Sequence, residues 1–148
     1  MVEEGTPAPA FEAQTDDGET VTLDDLHGKP VVLFFYPKDD TPGCTTQACG
    51  IRDAWGEFRS RGIEVFGVSR DDAAAHQAFK GKLELPFPLL VDSDRSLGDA
   101  FGVDDIREGV PVYKRTTVVI GSDGTVAKTM EDVDPATHAD DVLALVGG

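Results

Sequence analysis

Sulfur and positive charge are both scarce in this chain: two cysteines, two methionines and 13 basic residues stand against 28 acidic ones. Two thiols with no second Cys or His pair nearby do not complete the four ligands of a zinc site, since His27, His76 and His138 are widely scattered. No run approaches the roughly 18 to 20 consecutive apolar residues of a membrane span. The start, MVEEGTPAPAF, is acidic where a secretory signal is basic and then apolar. A soluble, cytoplasmic protein without membrane contact is expected. Neither a GxGxxG nor a GxxxxGK(S/T) phosphate loop occurs. DSDRSLGDAFGV has a superficial likeness to a calcium loop, but Leu97 and Val103 occupy positions where such a loop needs Gly and Glu.

The net charge of −15 and a sequence pI near 4.3 argue against nucleic acid as a partner. The acids comprise 19 Asp and 9 Glu, with Asp-Asp doublets at 16/17, 24/25, 39/40, 71/72, 104/105 and 140/141, in expected turns and helix starts. Such a dispersed acidic surface fits simple solubility, or adaptation to concentrated salt. At molar salt the Debye length falls to about 3 Å, and crowded carboxylates become tolerable. A halophilic host is the expectation.

With 148 residues, 40% of them hydrophobic, the chain suits one compact domain over 1–148. Residues 10 to 15 and 21 to 23, around Asp16-Asp17-Gly18, predict a short N-terminal β-hairpin. VVLFFY is a continuous apolar run, as in a central strand buried on both faces. After a turn at Pro42-Gly43, the positions Cys44, Ala48, Ile51, Trp55 and Phe58 recur in steps of four and three, a helical stripe expected to end at Gly62. Strands are expected at 63–69, 87–92, 116–120 and 125–130, the last two as a hairpin around Gly121-Ser122-Asp123-Gly124. Helices are expected from Asp71 to Leu83, from Ser96 to Phe101 and from Asp134 onward. In the last of these Asp134 is the cap, Pro135 sits in the first turn, and Ala139, Val142, Leu143 and Val146 form the buried stripe. Strands alternate with helices early and pair antiparallel late, so the class is α/β, a mixed sheet with helices packed on it. Phe34, Phe35, Phe66 and Trp55 read as core.

The segment FFYPKDDTPGCTTQACGIRD holds both cysteines. A sulfur in the first turn of a helix faces unpaired backbone N–H groups and the positive end of the helix dipole, which favours thiolate over thiol. Residues five apart in a regular helix are rotated by about 140° and risen by about 7.5 Å, putting their Cα atoms roughly 8.6 Å apart. A disulfide needs Cα atoms within about 7 Å, so Cys44 and Cys49 cannot bond while that helix is intact. A pair that joins only after local unwinding suits a redox cycle better than a structural staple. Two inert small hydrophobes remain the plainer alternative.

Pro37-Lys-Asp-Asp-Thr41-Pro-Gly-Cys44 resembles the peroxiredoxin signature Pro-x-x-x-Thr-x-x-Cys, and CTTQAC resembles the bacterioferritin-comigratory, or Q-type, subclass. The likeness continues in order through VFGVSRDD, His76, Phe79, LPFPLLVDSD, FGV and KRTTVVIGSDG, and so covers nearly the whole chain. Gln47 departs from it, since many relatives carry Glu there. The resemblance implies a thioredoxin-like fold and a thiol peroxidase. It implies Cys44 as the peroxidatic thiol, Thr41 as its hydroxyl partner, Pro37 as the shield of the pocket, Arg115 as the activating guanidinium and Cys49 as the resolving thiol. The implied partners are a peroxide and thioredoxin or a similar dithiol reductant, with no metal, flavin or haem; a monomer is the expected state. On the residues alone Arg115 reads as a surface charge and Thr41 as a turn residue, and His76 is expected on a helix surface without a catalytic role. A thioredoxin-like disulfide reductase and a non-catalytic redox sensor are the alternatives. The reductase normally uses Cys-x-x-Cys, whereas four residues separate Cys44 and Cys49.

Overall fold

The computed structural model describes residues 2–39, 41–92, 95–107, 109–131 and 133–146. Asp40 of the 39/40 doublet, residues 93 and 94 of the calcium-loop lookalike and the side chain of Val146 lie outside the described residues.

The N-terminal hairpin forms as the turn residues predict, from β1 (Glu12–Thr15) and β2 (Thr20–Thr22), antiparallel, with Gly18 at φ +88 in the turn. The apolar run that follows is β3 (Val31–Phe35), buried along its whole length. Next come α1 (Pro42–Asp53), α2 (Trp55–Ser60), β4 (Glu64–Ser69), α3 (Ala73–Leu83), β5 (Leu89–Val91) and α4 (Ser96–Phe101). The chain closes with β6 (Asp104–Arg107), β7 (Val110–Tyr113), β8 (Thr116–Ile120), β9 (Val126–Met130) and α5 (His138–Val146).

Among the described residues, seven strands share one sheet in the order β2-β1-β5-β4-β3-β8-β9. β3 pairs parallel with β4 and antiparallel with β8, so both its edges are satisfied and every residue can be apolar. Its alternating side chains divide the core. Val32, Phe34 and the following Tyr36 pack with Cys44, Ala48 and Ile51 of α1, Phe58 of α2, Phe79 of α3 and Val142 of α5. Val31, Leu33 and Phe35 pack on the opposite face with Leu97 and Phe101 of α4, Tyr113 of β7 and Val118 and Ile120 of β8. Each fully buried large apolar side chain contributes about 1.5–3 kcal/mol relative to exposure. The result is the expected α/β, thioredoxin-like mixed sheet flanked by helices, with the N-terminal hairpin added at one edge. Among the described residues no helix is long and apolar enough to cross a membrane.

Several local expectations need correction. The helix expected to run to Gly62 is broken at Ala54 (φ −98, ψ 11), which ends α1 and precedes α2. Its stripe survives the break: Cys44, Ala48, Ile51 and Phe58 are buried and Trp55 packs half-buried against them. Pro42 and Gly43 belong to the helix rather than to a turn before it. The terminal helix begins at His138, four residues past the expected cap. Asp134 instead makes a turn, its carboxylate accepting from Ala136 N at 2.9 Å and its carbonyl from Thr137 N at 3.2 Å. The β6–β7 hairpin was not anticipated, because DDIREGVPVY has neither alternation nor a familiar turn pair.

The acidic residues are not all on the surface either. Asp16, Asp39 and Asp92 are buried. Asp92 accepts from Leu97 N at 3.0 Å and Gly98 N at 2.9 Å, and Tyr113 donates to its carboxylate, which anchors α4 to β7. Gly98 is required there, since a Cβ would stand 2.4 Å from the Tyr113 ring.

Candidate active site

Helix α1 begins where β3 leaves the sheet. Thr41 is its N-cap in extended conformation (φ −96, ψ 155), and Pro42 fits the first helical position, where a missing N–H costs nothing. Cys44 is therefore the third helical residue, close to the free N–H groups of the first turn. Its side chain is 2% exposed, in the same core cluster as Phe34 and Tyr36.

Arg115 stands immediately before β8, and the β3–β8 pairing carries it to the start of α1. Its Nη2 donates to Cys44 Sγ at 3.4 Å and its Nη1 donates to Gln47 Oε1 at 2.6 Å. The surface charge that the residues alone suggested is half-buried and placed against the sulfur. A guanidinium holds two acceptors at once because its N–H groups form a rigid fork. Gly43 makes room for it: a Cβ there would lie 2.9 Å from Arg115 Nη2.

Behind Gln47 the polar chain continues. Gln47 and His138 are both fully buried; Gln47 Nε2 lies 3.3 Å from His138 Nδ1, and His138 Nε2 lies 2.7 Å from Thr117 Oγ1. Burial pushes His138 down to about 4, with the nearby Arg115 charge acting the same way and Asp141 opposing.

Pro37 and Thr41 lie on the loop between β3 and α1, both half-buried. Thr41 Oγ1 donates to the Lys38 carbonyl at 3.0 Å, and among the described residues no hydrogen bond joins it to Cys44. A second buried network holds this loop. Tyr36 donates to Asp39 Oδ1 at 2.5 Å, His76 Nδ1 lies 2.7 Å from Asp39 Oδ2, and Asp39 N donates to Asp71 Oδ2 at 2.9 Å. Burial first, then the Asp39 carboxylate, holds Tyr36 well above the ordinary phenol range, so its hydroxyl stays a donor. His76 was expected on a helix surface; it is 0% exposed, because α3 turns it inward to meet Asp39.

Cys49 is half-buried on α1, and both cysteines are free. Of the five expected site residues, direct contact joins Cys44 and Arg115; Thr41 and Pro37 border the same helix start, and Cys49 sits further along the helix. Sequence reasoning missed His138, Tyr36 and Asp39. The available signal for Asp39 was an acid three residues past the apolar run that ends at Tyr36, read as surface with its doublet.

Comparison with known proteins completes the picture. A model described as the AhpC/TSA family matches residues 5–129. The chain is 46% identical over 147 residues to a Coxiella burnetii protein bearing the name peroxiredoxin bcp, covering 96% of this chain and 97% of that one. It is 41% identical over 147 residues to the chloroplastic peroxiredoxin Q of Triticum aestivum, covering 98% of this chain and 67% of that one. Among solved structures, the bacterioferritin comigratory protein of Xanthomonas campestris, described for its alkyl peroxide reduction, superposes with a TM-score of 0.90 at 33% identity and covers 98% of each chain. The peroxidoxin BcpB of Mycobacterium tuberculosis gives 0.91 at 33% identity, covering 99% of this chain and 97% of that one.

Proposed function

The chain belongs to the AhpC/TSA family as a peroxiredoxin of the Q, or bacterioferritin-comigratory, subclass, and from that premise we propose how its thiol peroxidase chemistry runs. Cys44 thiolate attacks one oxygen of a peroxide; the S–O bond forms, the O–O bond breaks, and the departing oxygen takes a proton and leaves as water or an alcohol. Cys44 becomes a sulfenic acid. The Cys49 thiol then displaces that hydroxyl as water, giving a Cys44–Cys49 disulfide. Thiol–disulfide exchange with thioredoxin or a similar dithiol returns both electrons.

The single observation that carries this reading is the 3.4 Å contact from Arg115 Nη2 to Cys44 Sγ. A fixed positive charge beside the sulfur stabilises the attacking anion and the charge that develops on the leaving oxygen. Thr41 spends its own proton on the Lys38 carbonyl, which leaves its oxygen lone pairs to accept from a peroxide O–H and align the O–O bond. Pro37, half-buried beside it, shields the pocket. Both cysteines lie on one helix, so the cycle needs a single chain, and a dithiol donor suits a reducing compartment such as the cytoplasm. The −15 charge supports adaptation of the protein to concentrated salt.

The test follows peroxide loss with the wild type, Cys44→Ser and Cys49→Ser, with and without a thioredoxin system. The wild type should turn over, Cys44→Ser should be inert, and Cys49→Ser should consume about one peroxide per chain before stalling. Steady turnover by the Cys44 variant would remove the assignment.

A further inference from the structure

Arg115 offers only donors, so the end of the Gln47 amide that meets it 2.6 Å from Nη1 has to be the oxygen. The NH2 end is thereby turned toward His138, whose Nδ1 lies 3.3 Å away. An NH2 group only donates, so Nδ1 has to be the bare, accepting nitrogen. The ring proton then sits on Nε2, which donates to Thr117 Oγ1 at 2.7 Å. One protonation state and one tautomer satisfy all of these contacts together. Gln47 and His138 are both 0% exposed, so no water can replace either partner without a change in packing.

We infer that His138 is a positioning residue for the reaction of Cys44: by accepting from Gln47 it keeps the amide oxygen against Arg115, and so keeps the guanidinium against the sulfur. The inference rests on the reading of Cys44 as the peroxidatic thiol. The chain of contacts runs Thr117, His138, Gln47, Arg115, Cys44, and joins β8, α5 and α1 behind the reacting sulfur. A His138 cation would set N–H against NH2 and turn the amide over, leaving two donors facing each other at Arg115. The charged groups near the ring are Asp141 on its own helix and Arg115 ahead of β8, and burial keeps the ring neutral against the pull of Asp141. A carboxylate at position 47 would have two equivalent oxygens and would need no such sorting.

The experiment compares His138→Leu and His138→Asn in single-turnover oxidation of reduced protein by hydrogen peroxide, read as loss of the Cys44 thiol. The two replacements have the same number and branching of side-chain heavy atoms, but the Asn oxygen overlays Nδ1 and accepts from Gln47. His138→Leu should react about tenfold more slowly than the wild type, and His138→Asn should stay within about threefold. In a Gln47→Glu background the Leu penalty should shrink to less than about threefold. Equal rates for the wild type and His138→Leu would overturn the inference alone. So would an equal loss in the Leu and Asn variants that persists in the Gln47→Glu background, because that marks a purely structural role. A wild type inert to peroxide would overturn the parent reading and this one with it. An independent readout needs no variant: side-chain nitrogen NMR of the wild type should show His138 neutral and protonated on Nε2 from about pH 5 to 8. A proton on Nδ1 in that range would overturn the inference.

Discussion

His76 and Asp39 form a closed pair beneath the loop that leads to Cys44: Nδ1 meets Asp39 Oδ2 at 2.7 Å, and the other ring nitrogen meets the Leu90 carbonyl at 2.9 Å. A carboxylate and a carbonyl both accept, so both ring nitrogens carry protons and the ring is an imidazolium. The core thus holds two histidines in opposite states, His76 charged by its acceptors and His138 kept neutral by a donor.

The His76 pair makes stability depend on pH. Burial disfavours the charged ring, but the Asp39 hydrogen bond and charge, with Leu90 and Asp71, raise it above its ordinary value. A raised folded value means the contribution is complete below the unfolded value of about 6.5 and is lost as pH rises through the folded one. His76→Gln should therefore cost about 3 kcal/mol at pH 6 in urea unfolding and distinctly less near pH 9. A gap that does not change with pH would contradict the imidazolium.

Gly43→Ala separates folding from reactivity. The new methyl helps the helix by up to about 1 kcal/mol, yet it would stand 2.9 Å from Arg115 Nη2 and push the guanidinium off the sulfur. The melting temperature should hold or rise while the rate of Cys44 oxidation falls about tenfold or more. An unchanged rate would show that the guanidinium position matters little.

Arg115→Lys keeps the charge and loses the fork. One ammonium cannot hold Gln47 Oε1 and Cys44 Sγ together as the two guanidinium arms do. Single-turnover oxidation should slow about 100-fold with little change in unfolding midpoint. A lysine variant as fast as the wild type would reduce the role of Arg115 to bulk charge.

Raising KCl from low to molar concentration should lift the melting temperature, because screening relieves repulsion in a chain of net charge −15. A flat or falling melting temperature would leave solubility as the reason for the acids.

Much of this was legible in the residues. The unbroken VVLFF run marked the buried central strand, and steps of four and three from Cys44 marked the buried face of α1 and α2. Helix α4 and strand β8 stand at their expected limits, Ser96–Phe101 and Thr116–Ile120. What stayed hidden depends on partners far along the chain. His76 looked like a surface residue because nothing near it in sequence shows that Asp39, 37 positions earlier, would meet it in the core. Gln47 and His138 lie 91 positions apart, and Cys44 and Arg115 lie 71 apart; their pairing follows from α1 packing on α5 and from β3 beside β8. Family likeness pointed to Arg115, but the orientation of the Gln47 amide has no signature in residue type.

The interruption at Ala54 sets how far a disulfide between Cys44 and Cys49 would disturb the molecule. Because the helical ladder is already interrupted there, rewinding and release can be confined to the segment upstream, while Phe58 keeps the next helix seated in the core. Trp55, one residue past the break and with its ring against those of Phe58 and Phe87, belongs to the seated part and should keep its surroundings while such a bridge forms and reopens.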